Sequence, residues 1–138
     1  MIREAGAGNI PSIRSLMESE PGVWQPGWSD NTLAKAIDAA KGLALVWQSE
    51  SKIVGFVCAH DLGFRGYLSE LVVAREARHQ GIGRNLVRAV EERLADGGHT
   101  TLIADVWHRA APFYRSLGWS VPDVVLLRQK LATHGAGR

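Results

Sequence analysis

Between residues 67 and 94 the sequence changes its period across a pair of glycines. "YLSELVV" (67–73) is a short apolar, β-prone run. After it, Gly81 and Gly83 bracket Ile82, and Ile82, Leu86, Val87, Val90 and Leu94 then recur at the spacing of one helix face. "TTLIADVW" (100–107) supplies a further β-prone run. A strand, a turn, an amphipathic helix and a returning strand form a right-handed parallel crossover, which commits the chain to a sheet with a helix laid on one face.

The glycine pair also points to chemistry. The first N–H groups of a helix have no partner inside it and carry the positive end of its dipole. A glycine lacks Cβ, so an anion can approach the backbone closely there. Arg78 and Arg84 flank the pair and can add charge-assisted hydrogen bonds. A plain turn with one unusual φ explains one glycine; the second favours an anion cradle.

The remaining elements follow from local pattern. Residues 2–5 read as a short strand. "NIPSIRSLMES" reads as a helix with Asn9 as its N-cap and Pro11 in its first turn. "EPGVWQPGW" breaks it, and "SDNTLAKAIDAAKG" restarts a helix capped by Ser29 and closed by Gly42. "LALVWQ" and "KIVGFVCAH" read as a hairpin. "RAAPFYRSLG" reads as a short helix, and "WSVPDVVLLRQKL" as one or two last strands interrupted by Pro122. The expected order is β-α-α-β-β-β-α-β-α-β-β, in a single domain over 1–131 with a flexible tail at 132–138.

Composition removes several classes. The chain has 138 residues, 22% of them charged, and a net charge of +2. No run of five Lys or Arg marks nucleic-acid binding. No segment reaches the ~18 consecutive apolar residues of a membrane span. The opening "MIREAGAGN" lacks the apolar stretch of a secretory signal, which predicts a cytoplasmic protein. The single cysteine, Cys58, lies in an apolar run and reads as an inert buried thiol. No Cys/His cluster has metal-ligand spacing, so no metal is expected. A dinucleotide site is a poor match, because Leu86 stands where the third small residue belongs and seven residues separate Val73 from Gly81.

"LVVAREARHQGIGRNL" resembles the acetyl-coenzyme A signature of the GNAT superfamily of N-acetyltransferases, with Arg78-His79-Gln80-Gly81-Ile82-Gly83 in the place of its glycine loop. "RAAPFYRSLGW" is similar to a second family segment at the expected distance. The resemblance covers about residues 1–130. It implies an α/β (α+β) GNAT fold: a mixed central sheet of about six to seven strands flanked by about four helices, with a splayed parallel strand pair at the acetyl-CoA site. It implies acetyl-CoA as cosubstrate, its pyrophosphate on the amides of Gln80, Gly81, Ile82, Gly83 and Arg84. Arg78, His79 and Asn85 lie alongside, and Leu71, Val72 and Val73 pair with the pantetheine arm. A backbone N–H in the gap would polarise the thioester carbonyl.

By the same resemblance Tyr114 is the general acid. A thiol ionises near pKa ~8.5 and a phenol near ~10, so a positioned tyrosine can protonate the departing sulfur. Glu70 is the candidate base, or else a structural partner for an arginine such as Arg65; alternation places it on one face with Leu68 and Val72. His60 and His108 are weaker candidates. The strand after the helix lacks the glutamate some members carry and offers Asp105, assigned here to the substrate side. Trp107 stands where many members have asparagine, so that a coenzyme contact is lost or the acceptor channel is narrowed. "ESEPGVWQPGWSD" holds Trp24 and Trp28 among Glu18, Glu20 and Asp30. It forms a wall of a cationic-acceptor pocket, or its tryptophans pack the first two helices together. The function implied is transfer of an acetyl group to a primary amine of a small molecule or protein by direct attack, from a monomer or homodimer. The alternative is a catalytically weak coenzyme-binding sensor.

Overall fold

The structure is a computed structural model and describes residues 1–133. It divides into two compact units, Met1–Ala104 and Asp105–Arg138. In the first, a sheet in the order β1-β2-β3-β4-β5 is built from Ile2–Glu4 (β1), Ala44–Ser49 (β2), Lys52–Asp61 (β3), Gly66–Val73 (β4) and Leu102–Ile103 (β5). The β1–β4 neighbours pair antiparallel, and β4 and β5 pair parallel. The mixed sheet expected from the sequence is present.

Helices cover both faces. Ile10–Glu18 (α1) and Asp30–Ala40 (α2) pack on β3, and Cys58 Sγ lies 3.9 Å from the Ala36 carbonyl of α2. Ile82–Asp96 (α3) lies on the opposite face, burying Ile82, Leu86, Val87, Val90 and Leu94. Burial of such side chains contributes ~1.5–3 kcal/mol each. Two sheet glycines admit α3 closely. A Cβ on Gly55 would stand 2.9 Å from Ile82 Cγ2 and 3.0 Å from Leu86 Cδ1. A Cβ on Gly66 would stand 2.6 Å from Leu94 Cδ1.

Helix α2 begins as the sequence predicts. Ser29 Oγ accepts from the Thr32 amide at 3.3 Å, and Thr32 Oγ1 accepts from the Ser29 amide at 3.0 Å. Asn9 does not cap α1. A 3-10 turn over Ala7–Asn9 precedes that helix, and Asn9 Oδ1 accepts instead from the Gly6 amide (2.9 Å) and from Arg3 (3.0 Å).

In the second unit, a 3-10 turn at His108–Ala110 leads into Ala111–Ser116 (α4), and Gly118 closes the helix in the left-handed region at φ 97°. The expected six to seven strands are five. No described residue of 119–131 joins a ladder. Pro122 removes a backbone donor there, and Val121, Val124–Leu127 and Leu131 are 69–85% exposed. The expected tail falls mostly at 134–138, outside the described residues.

Candidate active site

Strand β4 carries the site because it does two things at once. On its β5 side the ladder stops after Gly66↔Leu102 and Tyr67↔Ile103. Residues 68–73 of β4, including Leu71, Val72 and Val73, therefore have no ladder partner on that side among the described residues, while their other side stays paired to β3. The backbone groups on that side of residues 68–73 thus lie outside any described ladder, the feature by which a strand edge can take an extended ligand.

The second feature is a bulge. Opposite β3, Cys58 pairs with Glu70 but Ala59 pairs with Leu68, so Ser69 is an extra residue in β4. Residues directly opposite share a face. Glu70 and Val72 thus share the α2 face with Cys58 and Phe56, and Leu68 turns to the α3 face. The sequence alternation that put Leu68 beside Glu70 is corrected by this one inserted residue. Ser69 fixes the bulge by donating its hydroxyl to the Cys58 carbonyl at 3.1 Å.

The bulge delivers both Ser69 and Glu70 into a cavity of about 240 Å3 between the sheet and the α1–α2 segment. Trp24, Trp28, Met17, Leu33 and Phe56 give it apolar walls, and Thr32, His60 and Cys58 complete its polar side. Glu70 and the two tryptophans, separated by more than forty positions in the chain, meet here. The indoles stand edge-to-face, their centroids 5.6 Å apart. Arg65 belongs to the β3–β4 turn, where its carbonyl accepts from the Leu62 amide. Sequence reasoning missed Ser69 and Thr32 as lining residues and treated Cys58 only as core. Cys58 is 1% exposed, and desolvation, aided by the Glu70 charge, pushes its thiol up to about 11. Its sulfur lies 3.6 Å from His60 Nε2.

At the far end of β4, Arg75–Ala77 make one 3-10 turn and the chain then folds into α3. His79 (φ 63°) and Gly81 (φ 81°) both adopt the left-handed conformation. For Gly81 this is the ordinary use of glycine. Gly83 is already helical, so no backbone strain calls for glycine there. The first helical hydrogen bond is donated by Asn85 to the Gly81 carbonyl at 3.0 Å. The amides of Ile82, Gly83 and Arg84 precede it at the positive end of a fifteen-residue helix. Gln80 and Arg84 are exposed beside them. This junction fits a pyrophosphate. Arg78 is engaged elsewhere: it donates Nε to the Val73 carbonyl at 3.1 Å and pairs with Glu20 of the α1–α2 segment.

The acids of that segment are each held by an arginine. Arg14 takes Asp30 at 2.8 Å and Glu18 at 3.4 Å, and its guanidinium lies 4.8 Å from the Trp24 ring centroid. Glu20 takes Arg75 at 3.5 Å as well as Arg78.

The second unit holds Tyr114, Trp107 and Asp105. Tyr114 is 7% exposed, wedged edge-on between Phe113 (5.1 Å) and Trp119 (5.2 Å). Trp107 carries the Arg109 guanidinium 4.0 Å from its ring centroid. Asp105 and His108 are exposed. Among the described residues no group of three His, Cys, Asp or Glu could hold a metal ion, and no helix is long and apolar enough to cross a membrane.

The profile of the family described as "Acetyltransferase (GNAT) family" matches residues 10–119. The peptidyl-lysine N-acetyltransferase YiaC of Escherichia coli is 30% identical over 132 residues, covering 89% of this chain and 85% of that one. Among solved structures, the PaiA N-acetyltransferase of Thermoplasma acidophilum in complex with coenzyme A superimposes with a TM-score of 0.78 at 18% identity, covering 91% and 92% of the two chains. Ard1 of Thermoplasma volcanium does so with a TM-score of 0.80 at 16% identity, covering 88% and 83%.

Proposed function

From the premise that this chain belongs to the GNAT family and is an acetyl-CoA-dependent acetyltransferase, we propose that it acetylates a primary amine by direct attack on the thioester, with the cavity beside Glu70 as its acceptor site. Acetyl-CoA supplies an activated acetyl group on a thiol leaving group.

The chain's residues divide the remaining work. The amides of Gln80, Gly81, Ile82, Gly83 and Arg84, with Arg78, His79 and Asn85 alongside, hold the pyrophosphate. The open edge at Leu71, Val72 and Val73 aligns the pantetheine arm along β4. An N–H on that edge stabilises charge developing on the carbonyl oxygen. Glu70 takes a proton from the ammonium, directly or through a water, so that the nitrogen lone pair is available. Trp24 and Trp28 form the outer wall of the acceptor cavity. The C–N bond forms and the C–S bond breaks, the Tyr114 hydroxyl supplies the proton that the leaving sulfur takes, and the second proton that the nitrogen sheds on becoming an amide returns through solvent to the Tyr114 phenolate. Asp105 is assigned to the acceptor side. The relative named for peptidyl-lysine supports an amine acceptor.

One observation carries the reading: the Ser69 bulge turns Glu70 into a cavity on the same strand whose next residues have an open edge. A carboxylate there stands beside the line along which the thioester would lie. The test is thiol release from acetyl-CoA in the presence of primary amines, comparing wild type with Glu70→Gln. The variant is expected to lose the greater part of turnover, about 10²-fold or more, with an unchanged KM for acetyl-CoA. Equal turnover in both would remove Glu70 as the base.

A further inference from the structure

We propose that the acceptor is an alkylammonium bearing a single positive charge on a slender apolar stem, and that Arg14 enforces this selectivity by occupying the anions and the indole face a second charge would need. The inference rests on the cavity beside Glu70 being the acceptor site.

Charge is the first support. The α1–α2 segment brings three carboxylates near the two tryptophans, a composition suited to a polycation. The structure spends all three on the chain's own arginines: Asp30 and Glu18 on Arg14, Glu20 on Arg75 and Arg78. Arg14 also lies 4.8 Å from the Trp24 ring centroid and so occupies one indole face that would attract a second ammonium. Of the residues lining the cavity, Glu70 is the one carboxylate. The site therefore offers one counter-charge to one ammonium. A second ammonium in the same walls would find no second carboxylate, and a charge buried without a counter-ion is costly.

The lining is the second support. The cavity volume is about 240 Å3, and its walls are mostly apolar side chains. A slender alkyl stem suits such walls, which offer few polar partners to the hydroxyls of an amino sugar. Such a stem has two sources, a lysine side chain in a peptide and a free monoamine, with the same chemistry inside the cavity.

The experiment measures kcat/KM for acetylation of four probes: an Nα-acetylated, C-terminally amidated lysine peptide, pentylamine, cadaverine and spermidine. One of the two monocations is expected to exceed cadaverine and spermidine by about tenfold or more, the penalty for an ammonium left unpaired. The peptide leading identifies a protein lysine as the source; pentylamine leading identifies a free amine. Cadaverine or spermidine equal to or above both monocations overturns the proposal while leaving amine acetylation intact. A panel in which nothing is acetylated removes the amine reading and this proposal with it. In Arg14→Gln, checked for a retained thermal transition, Asp30, Glu18 and the Trp24 face are released. The ratio of cadaverine to pentylamine is then expected to rise at least about threefold, at the upper end for an exposed ion pair. An unchanged ratio in a folded variant refutes the role given to Arg14.

Discussion

Replacing Gly55 by alanine should damage coenzyme binding from across the sheet. The added Cβ would stand 2.9 Å from Ile82 Cγ2, 3.0 Å from Leu86 Cδ1 and 3.3 Å from Trp47 Cβ. Ile82 Cγ2 is fixed directly on its Cβ, so relief requires the first turn of α3 to move away from the sheet. That turn carries the amides assigned to the pyrophosphate. Overpacking of this kind costs ~1–3 kcal/mol, and for a chain of this length ~2 kcal/mol lowers Tm by roughly 5–8 °C. Gly66→Ala supplies the control. Its Cβ would meet Leu94 Cδ1 at 2.6 Å, at the other end of the helix, ~18 Å from Ile82 at ~1.5 Å per residue. The obstructing atom is the tip of a leucine, which can change rotamer. Differential scanning fluorimetry and KM for acetyl-CoA together decide the matter. Gly55→Ala should lower Tm and raise the KM severalfold; Gly66→Ala should lower Tm alone. Equal coenzyme KM values in the two variants would refute the link between this packing contact and the cradle.

Two further predictions concern charge. Cys58 is raised to about 11 by desolvation and by Glu70, whereas a thiol in the unfolded chain ionises near ~8.5. The folded state keeps its proton while the unfolded state loses it, so stability is full below pH ~8.5 and falls as pH rises toward the folded value, by up to ~3 kcal/mol. Denaturant midpoints between pH 8 and 11 should fall more steeply for wild type than for Cys58→Ala; parallel slopes would contradict this. Glu20 holds Arg78, so a pyrophosphate that recruits Arg78 competes with Glu20. Glu20→Gln should tighten acetyl-CoA binding by calorimetry about two- to fivefold, the range of a partly exposed ion pair, and weaker binding would show that Glu20 positions Arg78 instead.

The parts of the site that were legible in the sequence are those set by local backbone chemistry. The glycine pair marked the strand-to-helix junction, where Gly81 takes the left-handed conformation and Gly83 is already helical. Ser29 and Thr32 cap each other within one turn, so α2 was legible too. The unread parts depend on partners remote in sequence. The Ser69 bulge leaves no local mark, because strand residues reveal their face only by alternation, and one inserted residue between Leu68 and Glu70 breaks it. The acids at Glu18, Glu20 and Asp30 looked available to a ligand. Arg75 and Arg78, more than fifty residues from Glu20, neutralise it, and pattern reading has no access to such pairs. Asn9 had the right residue type for a cap, but the preceding 3-10 turn turned its side chain back to Gly6 and Arg3. The last β-prone run, 119–131, has the composition of strands without a ladder partner among the described residues, and composition alone does not supply one.

The central claim is that an acetyl group leaves coenzyme A for an amine with Tyr114 protonating the departing sulfur. It is tested most directly by steady-state acetylation of the best probe amine, read as amide product by mass spectrometry, in wild type and Tyr114→Phe. The phenylalanine keeps the ring contacts with Phe113 and Trp119 and removes only the hydroxyl. The expected result is a kcat lower by about 10²-fold or more with an unchanged KM for acetyl-CoA. Product formed at the wild-type rate by a folded Tyr114→Phe would contradict the mechanism.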